Sequence, residues 1–286
     1  MFGVTKVTEW IASLHVARAG LAVLVVWVLH EFGNIESAIA HGDDKASLLL
    51  FIAMIVALSA LISSIAGFAF SALAGSAFAY LGLEPVHAVQ TMVVCSTAIQ
   101  LYAVWKIRAS IRWLSLWPMA AAGAVTIPLG VRMLLHLNGA VYAVGLGAFL
   151  TAYGCYAVFR RGTRVVRGGV WRDVAVGALG GLAGGLAGLP GLFVTIWCSM
   201  RGWDRLQQRA VYQPYILVMQ LVTIVWLRWE TSTDMHVTQD LRFVPFALLG
   251  AIGGLALFQR MSNKQFQAAV SALLMLSGIG LLSRLL

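Results

Sequence analysis

The stretch GGLAGGLAGLPGLF, from Gly180 to Phe193, concentrates helix-breaking residues inside an apolar segment. In the window Gly177–Gly191, seven of fifteen residues are glycine, and Pro190 lies among them. Glycine and proline are poor helix formers in water, yet this window has no charged residue and is apolar enough to lie in a membrane. We therefore expect a membrane helix that breaks here, with a second half-helix starting at Pro190.

The composition is that of a membrane protein. The chain has 286 residues, of which 60% are hydrophobic and 11% charged, whereas a soluble domain carries about 25% charged residues. Charge-free runs long enough to cross a bilayer alternate with short loops that hold the basic residues. The net charge of +9 therefore reports membrane topology through the positive-inside rule. It does not indicate nucleic-acid binding, and the expected partner is the lipid bilayer.

Four segments are expected along the chain. Residues 1–46 hold a transmembrane helix, Trp10–His30, and an outside loop; this helix is expected to be uncleaved, although Ala38–Ala40 resembles a signal-peptidase site. Residues 47–159 and 173–286 look like two copies of one plan, each a broken apolar run followed by three further runs. A cytoplasmic arginine-rich linker, residues 160–172, joins the two repeats.

Matched residues in the two copies support a duplication. The only glycine of AYLGLEPVHAVQT, Gly82, aligns with Gly202 in MRGWDRLQQRAV, and an acidic residue follows each of them two positions later. The same register places Gln100 over Gln220. Further along, PMAAAGAVTIPLGVRMLLH aligns with PFALLGAIGGLALFQRMSN, which pairs Gly123 with Gly250.

The distribution of charge favours re-entrant hairpins over single crossings. If each broken run crosses once, Lys and Arg divide 12 to 8 between the two sides; if each dips in and returns, they divide 15 to 5. A hairpin plus three crossings makes an odd number of membrane crossings in each half, so the second half enters from the opposite face. We expect an all-α polytopic membrane protein with an inverted-topology repeat. Each half is a Gly-rich re-entrant helix pair plus three transmembrane helices, preceded by the extra N-terminal helix.

The two glycine-rich turns are the expected binding site. Re-entrant backbone is tolerated at membrane depth only where it is buried in protein or lines a wet cavity. Each second half-helix would point its free N–H groups and partial positive charge at the midplane, which suits an anion. The first turn is expected within SSIAGFAFS, residues 63–71, with Ser71 as N-cap. The alternative is that the glycines only allow close helix packing.

Three stretches of the sequence resemble the TauE/SafE (sulfite exporter) family of membrane transporters. They are AGFAFSALAGSAFAYLGLEPVHAV, PLGVRMLLHL and GGLAGGLAGLPGLFVTIW…RGWDRLQQRAVYQPY. The likeness runs from about Phe51 to Leu286. It implies export or uptake of small anions, such as sulfite, sulfonates or organic acids, across a bacterial inner membrane. The family usually has a denser glycine cluster at the first turn, whereas here Phe68, Ala69 and Phe70 follow Gly67.

Candidate substrate-binding residues come from the two turns and from polar positions in the spans. Gln100 and Gln220 lie at a depth where an unpartnered polar group is costly, so they either line the path or hydrogen-bond neighbouring helices. Hydroxyl groups near the turns either contact an anion or bond their own helix backbone. The full candidate set is Gly67, Ser71, Gln90, Thr91, Gln100, Gly188, Pro190, Gly191, Thr195, Gln213 and Gln220.

No catalytic, cofactor or metal site is expected. The histidines lack metal-ligand spacing, Ser, His and Asp do not cluster, and the three cysteines lie singly in apolar runs. No carboxylate is expected deep in a span, so a coupling-ion site is not visible. Three arginines recur every four residues, as expected for one face of a helix: Arg201, Arg205 and Arg209. We expect this face either to set the membrane topology or to attract anions.

The sequence thus favours a non-enzymatic transporter of a small anion in a bacterial inner membrane, working by alternating access at the turns. An anion channel, a non-transporting scaffold and an intramembrane enzyme are the alternatives. A homo-oligomer is compatible with the sequence, which leaves the oligomeric state open.

Overall fold

The computed structural model describes residues 44–66, 70–138, 140–142, 144–145, 147–148, 151–152, 166, 168–231 and 240–258. The expected N-terminal helix Trp10–His30, Gly67, most of the 160–172 linker and the segment after Phe258 lie outside the described residues. The chain divides into two compact units, Met1–Met54 and Ile55–Leu286. All contacts reported below lie within the second unit.

All regular elements in the described ranges are helical, as the composition predicts. In chain order they are α1 (Asp44–Ala66), α2 (Phe70–Tyr80), α3 (Pro85–Ile107), α4 (Trp113–His136), α5 (Val170–Ala187), α6 (Gly191–Met200), α7 (Arg205–Thr231) and α8 (Val244–Phe258), with short 3-10 turns at Arg108–Ser110 and Leu241–Phe243.

Four segments of the described chain are long and apolar enough to cross a membrane. They are Ser47–Ser64, Pro85–Ser110, Trp113–His136 and Leu206–Glu230. Three apolar helical segments are shorter: Phe70–Tyr80, Gly191–Met200 and Leu241–Ala256. This combination confirms the expected class, an all-helical multi-pass membrane protein.

The glycine-rich stretch breaks the helix where the sequence predicts. Helix α5 ends at Gly188, whose φ of 66° lies in the left-handed region that favours glycine. The N–H of Leu189 then donates to the carbonyl of Ala183 at 3.2 Å, which caps the helix. Pro190 stands just before α6 in helical geometry, so it prepares the first turn of α6.

Helices α5 and α6 form a hairpin. The C-terminal end of α6 returns to the start of α5, where Trp197 Nε1 donates to Asp173 Oδ1 at 2.6 Å. Arg201 donates to the same oxygen at 3.1 Å. At the other end Pro190 lies against Gly184, because a Cβ added there would be 2.9 Å from the proline ring. The absence of a side chain on that glycine therefore lets the chain fold back.

The turn after α2 and the turn after α6 share one design. Gly82 has φ 74° and Gly202 has φ 68°, so each glycine adopts a backbone conformation that other residues rarely take. An acidic N-cap follows each glycine: Glu84 accepts from the N–H groups of the first turn of α3 at 3.0 and 3.1 Å, and Asp204 accepts from Gln207 N–H at 2.8 Å. The alignment of these two turns in the sequence is therefore matched by local structure.

Glycines also set the distance between helices. A Cβ at Gly185 of α5 would lie 2.5 Å from the carbonyl oxygen of Ile127 in α4, so the two backbones are in contact. Gly250 and Gly254 of α8 meet the carbonyls of Ala57 and Leu61 in α1 in the same way, at under 3.0 Å. Close packing through small residues is typical of membrane helices.

Candidate functional site

Helices α3 and α7 run antiparallel through the centre of the second unit. The chain after α3 meets the start of α7, where Arg112 N–H donates to the carbonyl of Ala210 at 3.3 Å. One further contact lies nearer the middle of both helices, where Gln220 Nε2 donates to Ser96 Oγ at 2.5 Å. Polar residues follow α3 along most of its length, in three groups that are described in turn.

The first group surrounds a cavity of about 60 Å³ between α1, α3, α7 and α8, which we call the basic cavity. Its lining combines polar and cationic side chains with apolar ones. The lining residues are Ser63, Ser64, Ile99, Gln100, Tyr102, Ala103, Lys106, Ile107, Arg209, Gln213, Ala251 and Leu255.

The basic cavity holds two positive charges and no acidic residue among its lining residues. Arg209 approaches the carbonyl of Ser64 at 3.5 Å, which places its guanidinium group beside the end of α1. Lys106 lines the same cavity from the last turn of α3. Two cations and several amide or hydroxyl groups around a small space suit an oxyanion, because such a ligand accepts many hydrogen bonds.

Two buried oxygens of the cavity lining lack a hydrogen-bond partner within the described structure, namely Ser64 Oγ and Gln213 Oε1. A buried polar atom without a partner is costly. The side-chain amide of Gln213 presents either its oxygen or its N–H₂ group to the cavity, since the two orientations differ only in hydrogen bonding. Both groups are therefore available to a small ligand or a water.

The second group is the turn centre, where the α5–α6 turn meets α2 and α3. A Cβ added at Gly188 would lie 3.6 Å from both Met92 and Val93, and 3.8 Å from Ser71 Oγ. Ser71 is buried in the first turn of α2, one residue inside the helix, so its expected role as N-cap is wrong. The start of α2 and the Gly188 turn nevertheless lie side by side, against the middle of α3.

Other candidates lie in α6 and α7. Pro190 and Gly191 are buried at the start of α6, and Thr195 follows one turn later with its Oγ buried and unbonded within the described structure. Gln220 is 1% exposed and bonds Ser96, while its Oε1 has no described partner. Gln100 lies one helical turn after Ser96 on the same face of α3 and lines the basic cavity.

The third group, which we call the Asp240 cluster, lies towards the N-terminal end of α3. Gln90 Nε2 donates to Asp240 Oδ2 at 2.6 Å, and Thr91 Oγ1 donates to Asp240 Oδ1 at 2.7 Å. Gln90 and Thr91 are thus engaged with a carboxylate and are not among the basic-cavity lining residues. Asp240 lies just before the apolar segment Leu241–Ala256 and outside the candidate spans of the described chain, and it is 7% exposed because it packs against α3.

Sequence reasoning missed several residues of these groups. Asp240 stands in the sequence just before an apolar run, and its partners are about 150 positions away in the chain, so no local pattern points to the contact. Arg209 was considered only as part of a three-arginine face. That face does not exist as a single helix surface, because Gly202 interrupts the chain between Arg201 and α7.

Within the described ranges, no group of three or more His, Cys, Asp or Glu side chains could hold a metal ion.

Comparison with known proteins identifies the family. The model of the sulfite exporter TauE/SafE family matches residues 50–281, which is most of the chain and includes all three polar groups. No curated protein and no solved structure matches the chain. The match agrees with the resemblance seen in the glycine-rich motifs and in the turns that precede α3 and α7. The chain therefore belongs to the TauE/SafE sulfite exporter family, a family of membrane transporters for sulfite and related anions.

Proposed function

We propose that the protein carries a small anion, namely sulfite, an organosulfonate or a small organic acid, across a bacterial inner membrane by alternating access. The observation that carries this proposal is the basic cavity, which opens between α3 and α7 beside Lys106 and Arg209. Its two cations attract an anion, and its glutamines and serines can hydrogen-bond one. The family membership supports the same class of substrate.

The proposed path follows the α3–α7 interface. From the basic cavity it passes Gln100 and then the Ser96–Gln220 pair, and it reaches the turn centre at Met92 and Val93. Each step along α3 covers about one turn, or roughly 5–6 Å. An anion on this path would meet the hydrogen-bonding side chains of Gln100 and of the Ser96–Gln220 pair about one helical turn apart.

At the turn centre the N-terminus of α6 is the proposed anion contact. The free N–H groups of a helix start carry a partial positive charge; the buried Thr195 hydroxyl lies about one turn into α6, and Ser71 Oγ lies beside the Gly188 turn. The glycine at position 188 keeps this region free of a side chain. Both the glycine turn and the α6 N-terminus thereby support a site at mid-depth of the membrane.

The proposed topology is the inverted repeat, with repeats at residues 47–159 and 173–286. Three observations support it: the matching turns at Gly82 and Gly202, the α5–α6 hairpin closed by Asp173 and Arg201, and equivalent glycine packing of α4 on α5 and of α8 on α1. In this arrangement one repeat rocks against the other around the turn centre.

Single-cysteine labelling tests the topology. His87 and Gln207 are exposed residues at equivalent places in the first turns of α3 and α7, and neither is an N-cap. With the native cysteines replaced, His87→Cys should react only with a membrane-impermeant reagent added outside, and Gln207→Cys only with reagent inside. Reaction of both from the same side would exclude the inverted repeat.

Flux in proteoliposomes tests the function. Purified protein is reconstituted, and uptake of sulfite, a sulfonate and a small carboxylate is measured over a range of concentrations. We expect saturable uptake of one class, whereas uptake that stays linear would indicate a channel. No uptake of any of these anions by folded protein would refute the proposal.

Arg209→Gln links the flux to the basic cavity. Loss of one hydrogen-bonding cation is expected to raise KM about tenfold to a hundredfold, from about 1.5–3 kcal/mol for a hydrogen bond to a charged group. Arg228→Gln is the control, because Arg228 is an exposed arginine near the other end of the same helix. Equal effects of the two variants would mean that Arg209 acts only through the overall charge.

A further inference from the structure

A buried carboxylate stands at the end of α3 that is opposite the basic cavity. Asp240 belongs to the segment that leads into α8, and both of its oxygens accept hydrogen bonds from α3, at 2.6 Å from Gln90 and at 2.7 Å from Thr91. Asp240, Gln90 and Thr91 are all at most 7% exposed. The contact fastens the start of α8 to α3 through one ionisable group.

The Asp240 cluster is close to the turn centre. Thr91 is adjacent in sequence to Met92, which contacts the Gly188 turn, so the carboxylate lies within about two helical turns of the proposed anion contact. Gln90 and Gln100 are ten residues apart, or roughly 15 Å along the helix. An anion that moves from the basic cavity to the turn centre therefore approaches this carboxylate as it leaves the two cations.

A carboxylate and an anion repel each other strongly where little water is present. Protonation removes that repulsion, and it also weakens the acceptor that holds Gln90 and Thr91, which would loosen the start of α8 from α3. Because both effects favour passage of an anion past the cluster, we propose that Asp240 binds a proton that crosses the membrane together with the anion. This inference rests on the proposed function.

The surroundings of the cluster contain few other titratable groups. Among the described elements that pack against the Leu241–Phe243 turn, α3 carries Cys95, which lies near enough to sense the charge of Asp240, and His87, which is exposed. Glu84 caps the start of α3, and Tyr102 and Lys106 lie at its other end. The described part of α8 has no titratable residue, and Arg242 of the turn itself is exposed.

The test measures proton movement together with anion flux. Proteoliposomes that contain a pH-sensitive dye are given methanesulfonate, whose charge does not change over the pH range used. Wild-type protein should acidify the lumen as the anion enters, and uptake should rise by up to about tenfold per unit decrease in external pH while proton binding is limiting. Asp240→Asn should take up the anion without acidification and without the pH dependence.

Asp204→Asn is the matched control, because asparagine also caps a helix well and Asp204 is exposed; it should behave like the wild type. Thr91→Val removes one hydrogen bond to the ionised carboxylate. It should shift the pH of half-maximal uptake upward by about one unit, a change that a purely structural role would not produce.

Each outcome has one interpretation. Anion uptake by the wild type without proton movement overturns the inference, even if Asp240→Asn does not fold. Proton-coupled uptake that persists unchanged in Asp240→Asn also overturns it, because the proton then binds elsewhere. Absence of uptake at every pH, for methanesulfonate and equally for the sulfite and the small carboxylate of the flux assay, contradicts the proposed function and not the coupling site alone.

Discussion

Replacing Gly185 by alanine should separate α4 from α5 and destabilise the protein. The new Cβ would lie 2.5 Å from the carbonyl oxygen of Ile127, 2.9 Å from the backbone nitrogen of Val131 and 3.1 Å from the carbonyl carbon of Gly130. All three neighbours are backbone atoms of α4, so no side chain can rotate away. The helix axis itself must move.

The size of that movement follows from the shortest contact. Ordinary van der Waals contact begins at about 3.4 Å, so α5 has to retreat by about 0.9 Å from the closest oxygen, with less required at the other two atoms. Overpacking of this kind costs about 1–3 kcal/mol. Alanine is the better helix former by about 1 kcal/mol in water, so the observed loss tests whether packing outweighs propensity.

Thermal unfolding in detergent measures the effect, with Gly253→Ala as the control. Gly253 is an exposed helical glycine whose added Cβ would meet only Leu61 Cδ1, at 3.9 Å. Gly185→Ala should lower Tm by several degrees, at about 2–4 °C per kcal/mol, whereas Gly253→Ala should leave Tm unchanged or raise it. Equal Tm values for the two variants would refute the view that backbone contact between α4 and α5 matters.

Two further predictions concern the turn centre and the matched glutamines, Gln100 and Gln220. Gly188→Ala should lower Tm by less than Gly185→Ala, because its Cβ meets neighbours only at ordinary contact distances of 3.6 Å or more, and the left-handed backbone is strained by about 1–2 kcal/mol. A larger fall in Tm for Gly188→Ala than for Gly185→Ala would contradict this. Gln100→Leu should raise KM for anion flux, since Gln100 lines the basic cavity, whereas Gln220→Leu should lower the maximal rate by removing the bond to Ser96. Wild-type kinetics in both folded glutamine variants would mean that these residues are structural.

The sequence predicts the features that depend on local backbone chemistry. The break at Gly188–Pro190 follows from helix propensity and from the left-handed conformation that glycine allows. The matched turns at Gly82 and Gly202 follow from the same property, together with an acidic N-cap two residues later. These signals occupy a few consecutive residues, so they can be recognised without knowledge of the tertiary structure.

Contacts between distant segments could not be predicted in this way. Asp240 is one of three acids in the stretch 230–240, and it is buried because α8 returns to α3 about 150 residues after Gln90 and Thr91. Arg209 shows the same limitation, since its place in the basic cavity depends on the end of α1. Position along the chain gives the depth of such residues but not their partners.

The lengths of the two short helices explain why the turns are expected at mid-depth. Helix α6 has 10 residues and α2 has 11, so each extends about 15–17 Å, or roughly half of a hydrocarbon core of about 30 Å. The far end of α6 returns to Asp173 at the start of α5, which puts both ends of that hairpin on one side. If those ends lie at the membrane surface and α6 stands upright, the length of α6 puts the Gly188 turn near the midplane, and the 18-residue α5 has to be tilted to reach the same depth. Because Ser71 at the start of α2 contacts the same region, two helix N-termini would then share one depth, and their partial positive charges would add where an anion has lost its water.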